Sequence, residues 1–164
     1  MSSDLLYAVA RLDRNASMKM GEIQHALLRS GIVGRQTPDI PYHITLGAFL
    51  VARRQEVYNI LEQVSRDLSA FTVDFNHIGL FGLKVLFLAP DVNRELLELQ
   101  RYFDDGHPWT AHATLLVDEP DMVLKALPIV ADHFKSLQAR IESIGLYEVL
   151  PTRCVCEGML REKL

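Results

Sequence analysis

Two short segments of the chain carry the same pattern of a histidine, any residue, a threonine and a leucine. They are His43-Ile44-Thr45-Leu46 and His112-Ala113-Thr114-Leu115. In a β-strand, residues two apart point to the same face, whereas their neighbours point to the other face. Each segment therefore predicts a strand that presents an imidazole and a hydroxyl on one face and anchors apolar side chains on the other.

Paired histidines of this kind are typical of acid–base chemistry. One neutral imidazole can accept a proton while a second, protonated imidazole donates one, and cleavage of a phosphodiester without a metal requires both. The hydroxyls of Thr45 and Thr114 can donate hydrogen bonds to phosphate oxygens. A single histidine on a strand is more often a half-buried structural side chain, and threonine is a common strand residue. Because the same pair recurs at the same offset, we predict that His43, His112 and the two threonines are catalytic.

The apolar periodicity predicts the same order of elements in both halves of the chain: strand, helix, motif strand, helix and strand. We expect strands over 5–12, 42–51, 71–80, 83–89, 109–117, 137–149 and 153–160. We expect one helix from an N-cap at Ser17 to Gly31 and others over 53–68, 90–103 and 118–133. The pattern predicts an α+β fold: two pseudo-symmetric lobes of mainly antiparallel sheet, with outer helices, around a central cleft that carries both motifs. A chain of 164 residues predicts a single domain, 1–164, with a pseudo-repeat of roughly 1–81 and 82–164.

The charge of the chain limits its partners. The net charge is −4, and no run of lysine and arginine stands out. A protein that binds long nucleic acid usually carries a basic surface, so we expect a small nucleotide or an RNA end as substrate and no long duplex. No segment is apolar over the length of a membrane span, and the N-terminus lacks the features of a secretory signal. We therefore expect a cytoplasmic monomer with no membrane partner, in which Cys154 and Cys156 are free thiols.

Several other side chains are weaker candidates. Trp109, Tyr147 and Phe81 could stack on a nucleobase, although core packing explains such residues equally well. Phe49 and Tyr42 are assigned to packing, and His77 is expected to complete the buried face of the strand over 71–80.

A metal site is a minor alternative. His107 lies near His112, and Asp104 and Asp105 add carboxylates, but no spacing typical of a zinc site is present. We therefore predict no metal and no cofactor.

The motif segments resemble those of the 2H phosphoesterase superfamily, which includes 2′-5′ RNA ligase-like proteins and cyclic phosphodiesterases. The resemblance rests on Pro41–Leu46 and Trp109–Leu115 and on the order of elements over nearly the whole chain. It implies a two-lobed fold and a metal-independent phosphodiesterase that acts on 2′,3′-cyclic phosphates or 2′-5′ linkages. It also implies that His43 acts as the acid and His112 as the base, although the near-symmetry of the motifs does not itself distinguish these roles.

Two other functions stay open at this point. The same cleft could bind a nucleotide or an RNA end without turnover. Alternatively, the chain could be a structural or regulatory domain whose histidines only pack, in which case the two imidazoles would not converge on a shared site.

Overall fold

The structure is a computed structural model, and it describes residues 4–149 and 151–163. The expected absence of a secretory signal rests partly on the first three residues, which lie outside these ranges. The strands are β1 (Leu5–Leu12), β2 (His43–Leu50), β3 (Phe71–Phe81), β4 (Val85–Pro90), β5 (Ala113–Val117), β6 (Leu137–Glu148) and β7 (Arg153–Met159). The helices are α1 (Arg14–Arg29), α2 (Arg54–Asp67), α3 (Arg94–Tyr102) and α4 (Pro120–His133), with a 3₁₀ turn over Val51–Arg53.

The seven strands form one sheet in which β6 is the central element. The strand order is β2-β1-β6-β3-β4-β5, and β7 also pairs with β6. One edge of β6 pairs with β1, while the other edge pairs with β3 near its start and with β7 near its end. All of these pairings are antiparallel. The predicted α+β class and antiparallel sheet are therefore confirmed.

The two ends of the strand order meet in space. β2 and β5 are the outermost strands of the path, yet they contact each other. The sheet is therefore curled, and its inner face encloses the space between the two motif strands.

The registers of the two halves of the sheet correspond to each other. In one half, Thr45 of β2 lies opposite Val9 of β1, which lies opposite Gly145 of β6. In the other half, Thr114 of β5 lies opposite Phe87 of β4, which lies opposite Gly79 of β3. β3 follows β1 and β2 in the sequence but pairs with β4, and β6 follows β4 and β5 but pairs with β1. Each half of the sequence therefore contributes one strand to the other half of the sheet.

Because side chains alternate between the two faces of each strand, apolar residues are buried in two layers, one on each face of the sheet. Leu6, Ala8, Ala10 and Leu12 of β1 are buried in the main core, which also contains the apolar residues of the helices. Val9 points to the other face and is fully buried there. None of the helices in the described ranges combines the length and the apolar character needed to cross a membrane.

Two loops hold the edges of β2 and β5 together. From the loop before β5, the indole N–H of Trp109 donates to the carbonyl of Thr45 at 2.8 Å. From the loop before β2, the backbone N–H of Arg35 donates to the carbonyl of Val117 at 2.7 Å. Each motif strand is therefore bound by the loop that leads into the other one.

Further bonds reinforce both loops. The backbone N–H of Ala48 donates to Asp105 Oδ2 at 2.9 Å, and the backbone N–H of Val117 donates to Gln36 Oε1 at 3.2 Å. These bonds satisfy strand-edge groups that would otherwise face water or lack a partner.

The largest departures of helix starts from the sequence prediction are at α1 and α3. α1 begins at Arg14 rather than after Ser17, and the Ser17 hydroxyl donates to the carbonyl of Leu12 at 3.3 Å. α3 begins at Arg94, because the side chain of Asn93 caps it by accepting from Leu96 N at 2.9 Å. The expected helix over 90–103 is therefore shorter, and Pro90 ends β4.

The prediction that His77 completes a buried face is wrong. The pairing of β3 with β4 shifts register between Phe75 and His77, which is a β-bulge. The extra residue reverses the alternation, so the side chain of His77 is 61% exposed and its Nε2 lies 2.8 Å from Asp91 Oδ1.

Gly47 allows the close approach of β2 to the end of α3, and this generates a prediction. A Cβ on Gly47 would overlap the carbonyl oxygen of Phe103, which is backbone and cannot rotate away. We expect Gly47→Ala to lower the free energy of unfolding by about 2 kcal/mol, measured by urea denaturation. Gly21→Ala is the matched control, since Gly21 lies in α1 with nothing within 4 Å, and it should raise stability by about 0.5–1 kcal/mol. Equal effects of the two variants would contradict the close approach.

Candidate active site

The two motif histidines make the same backbone contact. His43 Nδ1 lies 2.7 Å from the carbonyl oxygen of Pro41, and His112 Nδ1 lies 2.8 Å from the carbonyl oxygen of Thr110. A carbonyl oxygen only accepts hydrogen bonds, so Nδ1 of each ring carries the proton. Nε2 is therefore the nitrogen that each ring has available to exchange a proton with a substrate.

The motif residues line two adjoining cavities. The larger, about 460 Å³, is lined by His43, Thr45 and Thr114. The smaller, about 300 Å³, is lined by His112, and Thr45 contributes to it as well. Thr45 thus lies at the junction of the two cavities, and the structure brings all four predicted catalytic residues to one cleft.

Burial changes the acid–base properties of both rings. It lowers the pKa of His43 below its ordinary value, and the nearby charge of His112 lowers that pKa further, although the bond to the Pro41 carbonyl opposes the change. Burial also lowers the pKa of His112, again opposed by its bond to a carbonyl. Because the charge on one ring disfavours charge on the other, the pair favours states with at most one positive charge between them.

The three aromatic candidates have different surroundings. Phe81 is 38% exposed, and its ring centroid lies 4.7 Å from that of His112. Trp109 is half-buried and its indole N–H is bonded to the carbonyl of Thr45, so this residue holds β2 in place. Tyr147 is only 4% exposed. Its predicted role in stacking on a base is corrected, because its ring is covered on the inner face of the sheet, beside Gly145.

The acidic loop before β5 is occupied with its own contacts. Asp105 accepts hydrogen bonds from the backbone N–H groups of Ala48 and His107, and His107 Nδ1 lies 3.2 Å from the same carboxylate. These bonds hold the pKa of Asp105 below its usual value, although partial burial opposes them. Within residues 4–149 and 151–163, no group of three or more His, Cys, Asp or Glu side chains could hold a metal ion.

Sequence reasoning missed several residues of the cleft. Tyr42, which was assigned to packing, packs partly against the core and also lines the larger cavity. Other residues of that cavity come from β1, α1 and the loop before β2, namely Tyr7, Gln24, Thr37 and Ile40. No local pattern marks these positions, because only the curl of the sheet brings them to the motif. The carbonyls of Pro41 and Thr110, in contrast, could be found by their common position two residues before a histidine.

A comparison with protein families identifies the family of the chain. The family model of the 2′-5′ RNA ligase superfamily matches residues 16–151, which include both motifs. The chain belongs to the 2′-5′ RNA ligase superfamily. The resemblance to 2H phosphoesterases is thus confirmed, and the chain is an enzyme of the two-histidine phosphoesterase type.

Solved structures share the fold at low sequence identity. TT0787 of Thermus thermophilus is 15% identical with a TM-score of 0.68, and the match covers 98% of this chain and 100% of that one. E. coli LigT complexed with 3′-AMP is 17% identical with a TM-score of 0.64, over 96% and 98% of the two chains. A structure described as a phosphoesterase is 16% identical with a TM-score of 0.61, over 97% and 99%. These likenesses concern the fold.

The lowered histidine pKa values predict how stability depends on pH. The unfolded chain, in which a histidine pKa is near 6.5, binds protons more tightly than the folded chain. The contribution of these two histidines to the free energy of unfolding should therefore be fully present above about pH 7 and be lost as the pH drops through 6.5 toward the lower pKa values of the folded state. Urea denaturation at pH 7.5 and 5.5 measures this loss.

The matched control replaces both rings with a side chain that does not titrate. Asparagine keeps a donor near the position of Nδ1, so His43→Asn combined with His112→Asn should still fold. Its loss of stability between the two pH values should be smaller than that of the wild type, because the other four histidines are unchanged. An equal loss in both proteins would show that the motif rings are not buried as described.

Proposed function

We propose that this protein is a metal-independent phosphodiesterase that acts on 2′,3′-cyclic phosphates or 2′-5′ linkages of small nucleotides or RNA ends. The observation that carries the proposal is the equivalent seating of the two imidazoles. Each ring is fixed through Nδ1 by the carbonyl two residues upstream, and each keeps Nε2 available in the same cleft. A purely structural role for two histidines would not require this convergence.

The reaction is hydrolysis in one displacement at phosphorus. One neutral imidazole accepts a proton from water as the water oxygen forms a bond to phosphorus. The bond from phosphorus to the leaving ribose oxygen breaks, and the second imidazole donates its proton to that oxygen. The products are a phosphomonoester and a free hydroxyl, and the pair of rings again carries one positive charge, now on the ring that acted as the base. Thr45 and Thr114 donate hydrogen bonds to the nonbridging oxygens and stabilise the charge that develops there.

The acid and base roles follow the resemblance. Burial lowers the pKa of both rings, and the repulsion between their charges is mutual, so it disfavours a second positive charge on either ring. We assign the acid role to His43 and the base role to His112, as the resemblance implies.

The cleft fits a small substrate with little charge. The described residues that line the two cavities include neither lysine nor arginine, and the smaller cavity contains Asp105. A long polyanion would find few cations here. LigT is described in complexes with 3′-AMP and with ATP. These complexes support a nucleotide-sized substrate for the present chain, which shares the fold of LigT. A monomeric state and action on RNA ends are part of the same proposal.

The first prediction for this function concerns turnover without metal. We expect hydrolysis of 2′,3′-cyclic nucleotides or 2′-5′-linked dinucleotides, measured by chromatography of the products, to persist in EDTA. The pH profile of kcat/KM should be bell-shaped with its maximum below pH 6.5, because both histidine pKa values are lowered.

Variants of the motif provide the controls. His43→Ala and His112→Ala should each lower kcat by about 100-fold or more, while His25→Ala, on the exposed side of α1, should leave it unchanged. Near-normal activity of either motif variant would rule out the paired mechanism. Nucleotide binding by the wild type without any product would instead favour the non-catalytic binding module.

The second prediction tests which ring is the acid. A nitrophenyl phosphodiester has a leaving group that needs little protonation, so loss of the acid should matter less than loss of the base. We expect His43→Ala to keep a larger fraction of wild-type kcat on this substrate than on a ribose diester, and His112→Ala to lose activity on both. The opposite pattern would give the acid role to His112.

A further inference from the structure

The two motif histidines differ in how their backbones are held. His43 is the first residue of β2 and pairs with Arg11 of β1. His112 lies one residue before β5, where pairing with β4 begins at Ala113 opposite Leu88. The strand ladder therefore fixes the backbone of His43 but not that of His112, so the His112 ring depends more on contacts of its own besides the bond to the Thr110 carbonyl.

Two phenyl rings supply such contacts. The ring of Phe81 lies 4.7 Å from that of His112 between centroids, at an interplanar angle of 82°. The ring of Phe87 lies 5.2 Å away at 58°. The two phenyl rings also contact each other, with centroids 4.4 Å apart. These separations are typical of favourable aromatic pairs, and no comparable ring pair involves His43 among the residues the structure describes.

A glycine allows this arrangement. Gly79 of β3 lies directly opposite Phe87 of β4, and a Cβ on Gly79 would overlap the Phe87 ring. The absence of a side chain at position 79 thus lets the Phe87 ring lie across β3. Phe87 is also opposite Thr114 on its other side, so Phe87 pairs with the motif threonine through its backbone and contacts the motif histidine through its ring.

We propose that Phe81 and Phe87 are positioning residues that hold the His112 imidazole in its catalytic orientation, with Gly79 making room for Phe87. This inference rests on the proposed function, since it gives the two rings a role in that reaction. An imidazole that exchanges a proton in the transition state must be placed to within a fraction of an ångström, and a shift of about 1 Å can cost about 100-fold in rate. The role differs from the base stacking predicted for Phe81.

The test replaces each ring with an apolar side chain that is not planar. Phe81→Leu and Phe87→Leu should each lower kcat by about 10- to 100-fold with little change in KM. Phe81→Tyr should retain activity, because it keeps a planar ring at a position that is 38% exposed. Phe49→Leu is the matched control: Phe49 is buried like Phe87 but lies on β2 away from His112, so kcat should be retained.

The glycine pair gives an independent comparison. Gly79→Ala and Gly145→Ala add the same methyl group at corresponding positions, each against an aromatic ring, since a Cβ on Gly145 would lie 2.6 Å from Tyr147. Only Gly79→Ala should lower kcat in the manner of Phe87→Leu. Equal losses in kcat for the two glycine variants would overturn the proposal.

A double-mutant cycle separates positioning from general damage to the fold. If the rings act through His112, Phe87→Leu should have no further effect on the residual rate of His112→Ala, whereas an undiminished effect in that background overturns the proposal. Should the wild type hydrolyse no substrate, the proposed function fails by itself. The order parameter of the His112 ring, measured by ¹³C relaxation of Cε1–H, then tests the positioning role. It must decrease in Phe81→Leu and Phe87→Leu but not in Phe49→Leu.

Discussion

The contact between β2 and β5 is the constraint on which the rest of the structure depends. These strands are the two ends of the sheet order, so nothing in the ladder itself brings them together. Each is instead bound by the loop that precedes the other, through Trp109 to Thr45 and through Arg35 to Val117. Movement of the loop before β5 would release the edge of β2, and movement of the loop before β2 would release the edge of β5. Convergence of the motifs is thus a consequence of loop hydrogen bonds that also satisfy exposed strand edges.

The same closure determines the chemistry of the cleft. Bringing two imidazoles together in a partly buried space lowers both pKa values, and the charge of His112 adds to the effect on His43. The stability lost at low pH is accompanied by a functional gain, since a pair that resists double protonation holds one acceptor and one donor. The carbonyl bonds at Nδ1 oppose part of the lowering and also fix the tautomer. One backbone contact therefore orients each ring and keeps its proton-exchanging nitrogen available.

Local patterns predicted most of the elements and the four motif residues, since alternation and repetition are local properties. The strand β1 and the helix α2 were both predicted from such local patterns. The four motif residues were predicted to converge, and all four line the cleft: His43, Thr45, His112 and Thr114. The failures involve tertiary contacts. The bulge beside His77 depends on pairing with β4, the covered position of Tyr147 depends on the curl, and the late start of β5 depends on where β4 can pair. Sequence periodicity carries no information on any of these.

The differences between the two halves matter as much as their correspondence. Val9 and Phe87 occupy equivalent positions opposite the two motif threonines, but they differ in size and only Phe87 carries a ring. The Phe87 ring contacts His112, whereas Val9 has no ring to place against His43. A symmetric cleft would give both imidazoles the same environment and hence the same proton affinity. Repulsion between the rings would still favour one neutral and one protonated imidazole in such a cleft. The Phe87 ring instead gives His112 an aromatic contact that His43 lacks among the described residues.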